Sequence, residues 1–175
     1  MKSSMSPIRA TSRGLLGGIA ILVASACAEP PDLTLPTQDE VSSYFQSSAP
    51  MRFEIDGNVA VLTVEQDNQH LRRGGRLWAK VGPYIYLFTP ATRDLLMDYP
   101  GLAGVRVRTT TESGTEVATA LLAREALNDL TWERAIAVAG RARVEGTSRV
   151  TLLEGLIEFG EPRTEHEYNP RFVQR

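Results

Sequence analysis

Few side chains in this chain have the type and setting to do chemistry, and they fall into three groups. The first is the histidines. Only His70 and His166 occur in the 175 residues, which restricts acid–base and metal chemistry to those two imidazoles. His70 would serve as a hydrolase base if Asp67 or a distant serine stood beside it. No Gly-x-Ser-x-Gly elbow accompanies it, so a solvated loop histidine is the plainer expectation. Glu165-His166-Glu167 supplies three potential ligand side chains in a row. Neighbours in an extended segment point to opposite sides, and no second cluster stands at ligand spacing, so we expect a charged, flexible tail, with no metal and no cofactor.

The second group is Arg72, Arg73 and Arg76 around Gly74-Gly75. Glycines that expose backbone N–H groups beside guanidinium charge make a candidate anion site, although a basic loop turned by glycine has the same sequence. The third is the alternating row Tyr84, Tyr86 and Phe88. It is a candidate face for an apolar ligand or a protein partner, and equally a candidate piece of core.

The most informative stretch carries none of these groups. Lys2, Arg9 and Arg13 precede an uncharged apolar run from Leu15 to Val23, and small residues then lead to Cys27, the single cysteine. That order is a secretory signal, with an apolar run too short to span a bilayer. The end of the run, Val23-Ala24-Ser25-Ala26 before Cys27, resembles the lipobox of bacterial lipoproteins, with Ala24 standing where leucine is commonest. The resemblance implies cleavage after Ala26, a lipid on Cys27 and a membrane anchor of two or three acyl chains. By the same resemblance Ala28, not an aspartate, follows the cysteine, which implies an outer membrane facing the periplasm if the host has one.

Residues 1–26 are therefore expected to be removed, leaving Cys27 and a proline-bearing tether to residue 36 with Pro30, Pro31 and Pro36. Removal takes three of 19 basic residues and none of 21 acidic ones, so the formal charge moves from −2 to −5. An acidic exported chain is a poor partner for nucleic acid, whose phosphates need a positive field. Val138–Leu156 superficially suggests a helix-turn-helix, but Arg141 and Glu145 stand where that motif wants apolar residues.

The elements that must position these groups follow from spacing. Thr37-Gln38-Asp39-Glu40 reads as a capping box opening a short helix. Met51–Val64 alternates around Asp56-Gly57, which predicts a hairpin with residues 55 and 58 opposed and Met51, Phe53, Ile55, Ala60, Leu62 and Val64 on the core side. Leu77–Val81 and Tyr84–Phe88 flank Gly82-Pro83 and predict a second hairpin, its later strand central because both its faces are apolar. Thr89-Pro90 opens a helix that Pro100-Gly101 stops. Val105–Leu122 alternates around Ser113-Gly114, with residues 117–127 also compatible with helix. Trp132, Ala135, Ile136, Ala139 and Ala142 recur at helical spacing over 129–145, where Gly140 would permit close approach. Ser148 is placed to cap a last helix that ends near Gly160 and Pro162.

The expected fold is α+β: an antiparallel sheet of hairpins, about six strands, with a C-terminal helical hairpin packed on one face. One domain over 37–160 precedes a polar tail at 161–175. The expected function is non-catalytic contact with another envelope component. Carriage of a small apolar or anionic ligand is the alternative, and hydrolysis through His70 a third.

Overall fold

The computed structural model describes residues 32–45, 49–73 and 75–174, with Arg73 in backbone only. Cys27 and the export segment lie outside the described residues. In chain order come α1 (Gln38–Tyr44), β1 (Met51–Asp56), β2 (Val59–Glu65), α2 (Asn68–Arg73), α3 (Gly75–Leu87), α4 (Pro90–Asp98), β3 (Gly104–Thr110), β4 (Glu116–Ala123), α5 (Asp129–Glu145), α6 (Val150–Gly160), β5 (Glu165–Tyr168) and α7 (Pro170–Val173). The fold is α+β, and its five strands form one mixed sheet in the order β1-β2-β3-β4-β5.

The pair β1 and β2 is antiparallel, but Ile55 faces Ala60 and Asp56 faces Val59, so the turn is Gly57-Asn58. Gly57 sits at φ +60, a conformation that favours glycine. The pairing differs from the expected one by two residues, and a shift of two leaves every side chain on its own face. Ala60, Leu62 and Val64 are accordingly buried, as are Val105, Val107, Ala118, Ala120 and Leu122 on β3 and β4. Residues 117–123 are strand, and only a single turn of 3-10 helix at Arg124–Ala126 precedes α5.

Between β2 and β3 the chain runs through α2, α3 and α4, and β3 then lies parallel to β2. A parallel neighbour requires such a crossover. This overturns the expected second hairpin. The segment 75–87 is one helix with Pro83 inside it. Its apolar residues Trp78, Val81, Tyr84 and Ile85, with Phe88 just past its end, stand three or four apart, and it reads as apolar on both faces because it is buried on nearly all sides. Gly82-Pro83 is a thinned point of the helix rather than a turn. A side chain at Gly82 would come within 3.1 Å of Gln66 Oε1 and of Thr109 Cγ2, so glycine lets α3 approach the strands. The proline leaves the Ala79 carbonyl without its helical donor. Helix α3 packs on β3 and β4, and α5 and α6 pack in turn on α3.

The opposite face of the sheet is polar. Arg106 and Arg108 pair in register with Val61 and Thr63 and reach Asp56 and Glu54 at 4.0 and 3.3 Å, leaving Val61 fully buried beneath them.

Helix ends follow local chemistry. Thr37 and Glu40 close the reciprocal capping box, and Thr89 caps α4 ahead of Pro90. At the far end of α4 the Arg124 guanidinium donates to the carbonyls of Leu96, Tyr99 and Leu102. Asn128, not anticipated, caps α5. Ser148 does not cap α6, whose N-cap is Arg149 without a side-chain bond. Gly140 is exposed with open space around it, so it mediates no close approach. In this helical pair the tight glycines are Gly146, against Leu153, and Gly160, against the Tyr84 ring.

Two segments expected to be loose are built into the domain. Residues 32–36 form neither helix nor strand, yet Pro36 is buried and a side chain on Gly101 would collide with the Leu33 carbonyl. The expected C-terminal tail supplies β5, antiparallel to β4. Tyr168 Oη lies 2.7 Å from Tyr84 Oη, and it donates to Glu161 at 3.2 Å. Glu161 also accepts from Lys80 at 3.1 Å.

Candidate functional site

The crossover leaves an open cleft of about 1190 Å³ on one side of α3. Its first wall is Tyr44, Phe45, Pro50 and Met51, and its second is Trp78, Ile85 and Tyr86 of α3 with Pro90 beyond. The end of β2 and the start of α2 form the floor, from Glu65 to His70.

Gln66 organises that floor. Its backbone N–H donates to Thr110 at 2.8 Å and its side-chain Nε2 donates to the Trp78 carbonyl at 2.5 Å, tying the end of β2 to β3 and α3 together. The residue is only 8% exposed, and its Oε1, beside Gly82, has no donor. A buried acceptor without a partner is uncommon in folded proteins.

The second wall is set by the junction of α3 and α4. Thr92 donates its hydroxyl to the Tyr86 carbonyl at 3.0 Å and Thr89 stands 3.0 Å from Thr92, which fixes the last turn of α3 and directs Tyr86 to the cleft. Burial pushes the Tyr86 phenol above its ordinary pKa, and the charge of Arg143 opposes that shift. Arg143 reaches the cleft from α5 and donates to the Ile85 carbonyl. On the first wall Tyr44 donates to Asp98 at 2.8 Å. Desolvation and then the Asp98 hydrogen bond raise it to about 12.

Charge around the cleft is uneven. Glu65, Asp67, Asp94 and Glu112 line it, and Arg143 is the one Arg or Lys among its described lining residues. None of the four carboxylates is in an ion pair among the described residues. Two accept local hydrogen bonds: Asp67 from the Gln69 N–H at 2.7 Å and Glu112 from Asn68 at 2.9 Å.

The residues singled out by sequence are distributed by the helix at 75–87. Tyr84 and Phe88, four apart, point into the core at 0% and 1% exposure, stacked with centroids 5.9 Å apart. Tyr86 alone of the row lines the cleft, because a helix separates residues that a strand would align. His70 is not in a loop. It belongs to α2 and stacks on Trp78 at 4.0 Å and 7°, with no side-chain hydrogen bond to a carboxylate or hydroxyl among the described residues. Arg72 and Arg76 are exposed on α2 and α3 and do not line the cleft. Gly74 and the Arg73 side chain lie outside the described residues. His166 is on β5, exposed, 3.3 Å from the Thr164 carbonyl, while Glu165 and Glu167 sit on the other face opposite Leu121 and Thr119.

Sequence reasoning missed Gln66, Trp78, Arg143, Glu65, Asp94 and Glu112, and named Asp67 only as a partner for His70. They come from segments as distant as 65 and 143, and no local spacing joins them. Among the described residues no three His, Cys, Asp or Glu side chains gather as a metal site, and no helix is long and apolar enough to cross a membrane. No protein-family model, curated protein or solved structure matches the chain.

Proposed function

We propose that this chain is a non-catalytic cell-envelope lipoprotein, exported, anchored through a lipid on Cys27, and contacting another envelope protein through the cleft beside α3. The anchor reading rests on the order of charge, apolar run and small residues before Cys27. With Ala28 after it, that reading puts the anchor in an outer membrane and the domain in the periplasm. The antiparallel pairs β1–β2 and β3–β4, with the helical pair α5–α6 packed on α3, serve as scaffold for the cleft. The observation that carries the contact reading is the cleft itself. At about 1190 Å³ it exceeds the roughly 300–1,000 Å³ of small-molecule sites, and an open cleft suits a polypeptide segment better than an enclosed cargo.

Two experiments test this. Metabolic labelling with a palmitate analogue should mark the wild type and not Cys27→Ala, and label on both removes the anchor. A photoreactive phenylalanine analogue at Tyr86 should capture an envelope protein in the native host, while the same analogue at the exposed Arg141 should not. Equal capture from both positions, or none from position 86, overturns the contact reading.

A second reading, carriage of a small apolar or anionic molecule, is favoured by the aromatic walls and the unpartnered Gln66 Oε1. Native mass spectrometry of the purified protein would then show a retained molecule that Tyr86→Ala releases. An anion held instead by Arg72, Arg73 and Arg76 would be lost when Arg73 and Arg76 are both replaced by alanine, and phosphate titration reads this directly.

A further inference from the structure

We infer that the segment gripped by the cleft is basic: an extended stretch of polypeptide in which lysine or arginine alternates with apolar residues. The inference rests on the contact reading above and adds the chemistry of the partner.

Three observations carry it. The first is the charge. Glu65, Asp67, Asp94 and Glu112 enter the lining from the end of β2, the helix α4 and the β3–β4 connection, against one cation, Arg143, among the described lining residues. A cleft lined by one sign of charge focuses its field on whatever enters, and raises the rate at which an oppositely charged partner arrives. These four are free of ion pairs among the described residues, whereas Glu54, Asp56 and Glu161 elsewhere on the domain are matched with Arg108, Arg106 and Lys80. What sets the four apart from other acids in no ion pair among the described residues, such as Glu165 and Glu167 on the sheet face, is that they converge on one cleft.

The second observation is independent of charge. Gln66 belongs to the cleft floor, and its buried Oε1, tucked beside Gly82, has no donor among the described residues, so a turn of that side chain toward the cleft would offer an unmet acceptor to an incoming N–H. The third is the apolar wall of Phe45, Met51, Ile85 and Tyr86, which offers contact to the apolar side chains between the basic ones and, at Tyr86, an aromatic ring for a cation. An acidic segment would meet four carboxylates, and a fully apolar one would strand them.

The test uses the full chain in detergent and three probes: a fluorescein-labelled ten-residue peptide of alternating lysine and leucine, its glutamate–leucine counterpart, and spermine as a small cation. The lysine peptide should bind saturably by anisotropy, weaken as salt rises, and lose at least tenfold in affinity when Glu65→Gln, Asp94→Asn and Glu112→Gln are combined. Combining Glu133→Gln, Glu154→Gln and Glu158→Gln, which removes the same charge from exposed positions on α5 and α6, should change affinity less than twofold. Equal losses in the two triple variants would mean unspecific attraction and overturn the inference. So would preferential binding of the glutamate peptide, or spermine matching the lysine peptide in affinity. The contact reading is judged separately. If the partner captured from position 86 is crosslinked at a segment without lysine or arginine, the basic-segment inference fails while the contact reading stands.

Discussion

Gly160→Ala should destabilise this domain although alanine is the better helix former. A Cβ built on Gly160 lies 2.7 Å from Tyr84 Cδ1 and 2.8 Å from both Cε1 and Cγ, well inside van der Waals contact. Tyr84 cannot yield easily. Its side chain is fully buried, it stacks on Phe88, and its hydroxyl is held 2.7 Å from Tyr168. Added volume in a packed core costs about 1–3 kcal/mol, against a helix gain of about 0.5–1 kcal/mol for replacing glycine. The net is a loss of about 1–2 kcal/mol, which for a domain of this size lowers Tm by about 3–8 °C. Gly140→Ala is the paired control, since Gly140 lies mid-helix in α5 with nothing within 4 Å of its Cβ position. It should gain up to about 1 kcal/mol and raise Tm by about 2–4 °C. Circular dichroism melts of the two variants beside wild type read both signs. If Gly160→Ala melts with or above wild type while Gly140→Ala rises, the close packing of α6 on α3 at Tyr84 is refuted.

Other perturbations test other parts of the argument. Arg124→Gln should cost about 2–4 kcal/mol by urea denaturation, because three carbonyls at the end of α4 lose charged donors, and Arg124→Lys should recover only part of it since an ammonium lacks the planar fork. Glu54→Gln should shift stability by less than about 1 kcal/mol, the Arg108 pair being solvent-exposed; a larger loss would show that the polar face is more than a cover for Val61. Burial raises the phenols of both Tyr84 and Tyr168, and for Tyr168 the Tyr84 hydrogen bond and the Glu161 charge add to it. Their folded values lie above the unfolded value of about 10, so their stabilising contribution is full below about pH 10 and is lost as pH rises through the folded values. Phenolate absorbance from these two should therefore appear together with unfolding. Tyr168→Phe should make the alkaline loss shallower, and an unchanged profile would count against the buried pair.

What could be read in the sequence was whatever depends on local pattern. Asn128 aside, α5 is visible from Trp132, Ala135, Ala139 and Ala142, and the two faces of β1 and β2 are correct although the turn lies one residue further on, because period-two alternation survives a shift of two. Helix α3 was misread for a physical reason. Gly82-Pro83 is a strong turn signal, and it outweighed the helical spacing of Trp78, Val81, Tyr84 and Phe88 only because the Gln66 and Thr109 contacts that explain the glycine are invisible in sequence. The parallel pairing of β2 with β3 follows from that misreading. Strand β5 was hidden because its four residues, Glu165 to Tyr168, are all charged or titratable and show no apolar alternation; what holds it is its ladder to β4 and a hydroxyl pair between positions 84 and 168. The cleft was illegible as a unit, since Glu65, Gln66, Trp78 and Arg143 meet only once the crossover is in place.

The order of strands in space has a consequence for a chain that is delivered from its N-terminus. Sheet and chain run in the same sequence from β1 to β5, so each strand finds its neighbour already waiting, yet the sheet's final edge and the hydroxyl partner of Tyr84 arrive only when residue 168 has emerged. Until then Tyr84, a fully buried side chain, has a polar end with nowhere to go, and β4 presents an unpaired margin. A chain delivered from its N-terminus thus completes this sheet and the Tyr84 pair only with its last strand, which is the order of events that the export proposed above would call for.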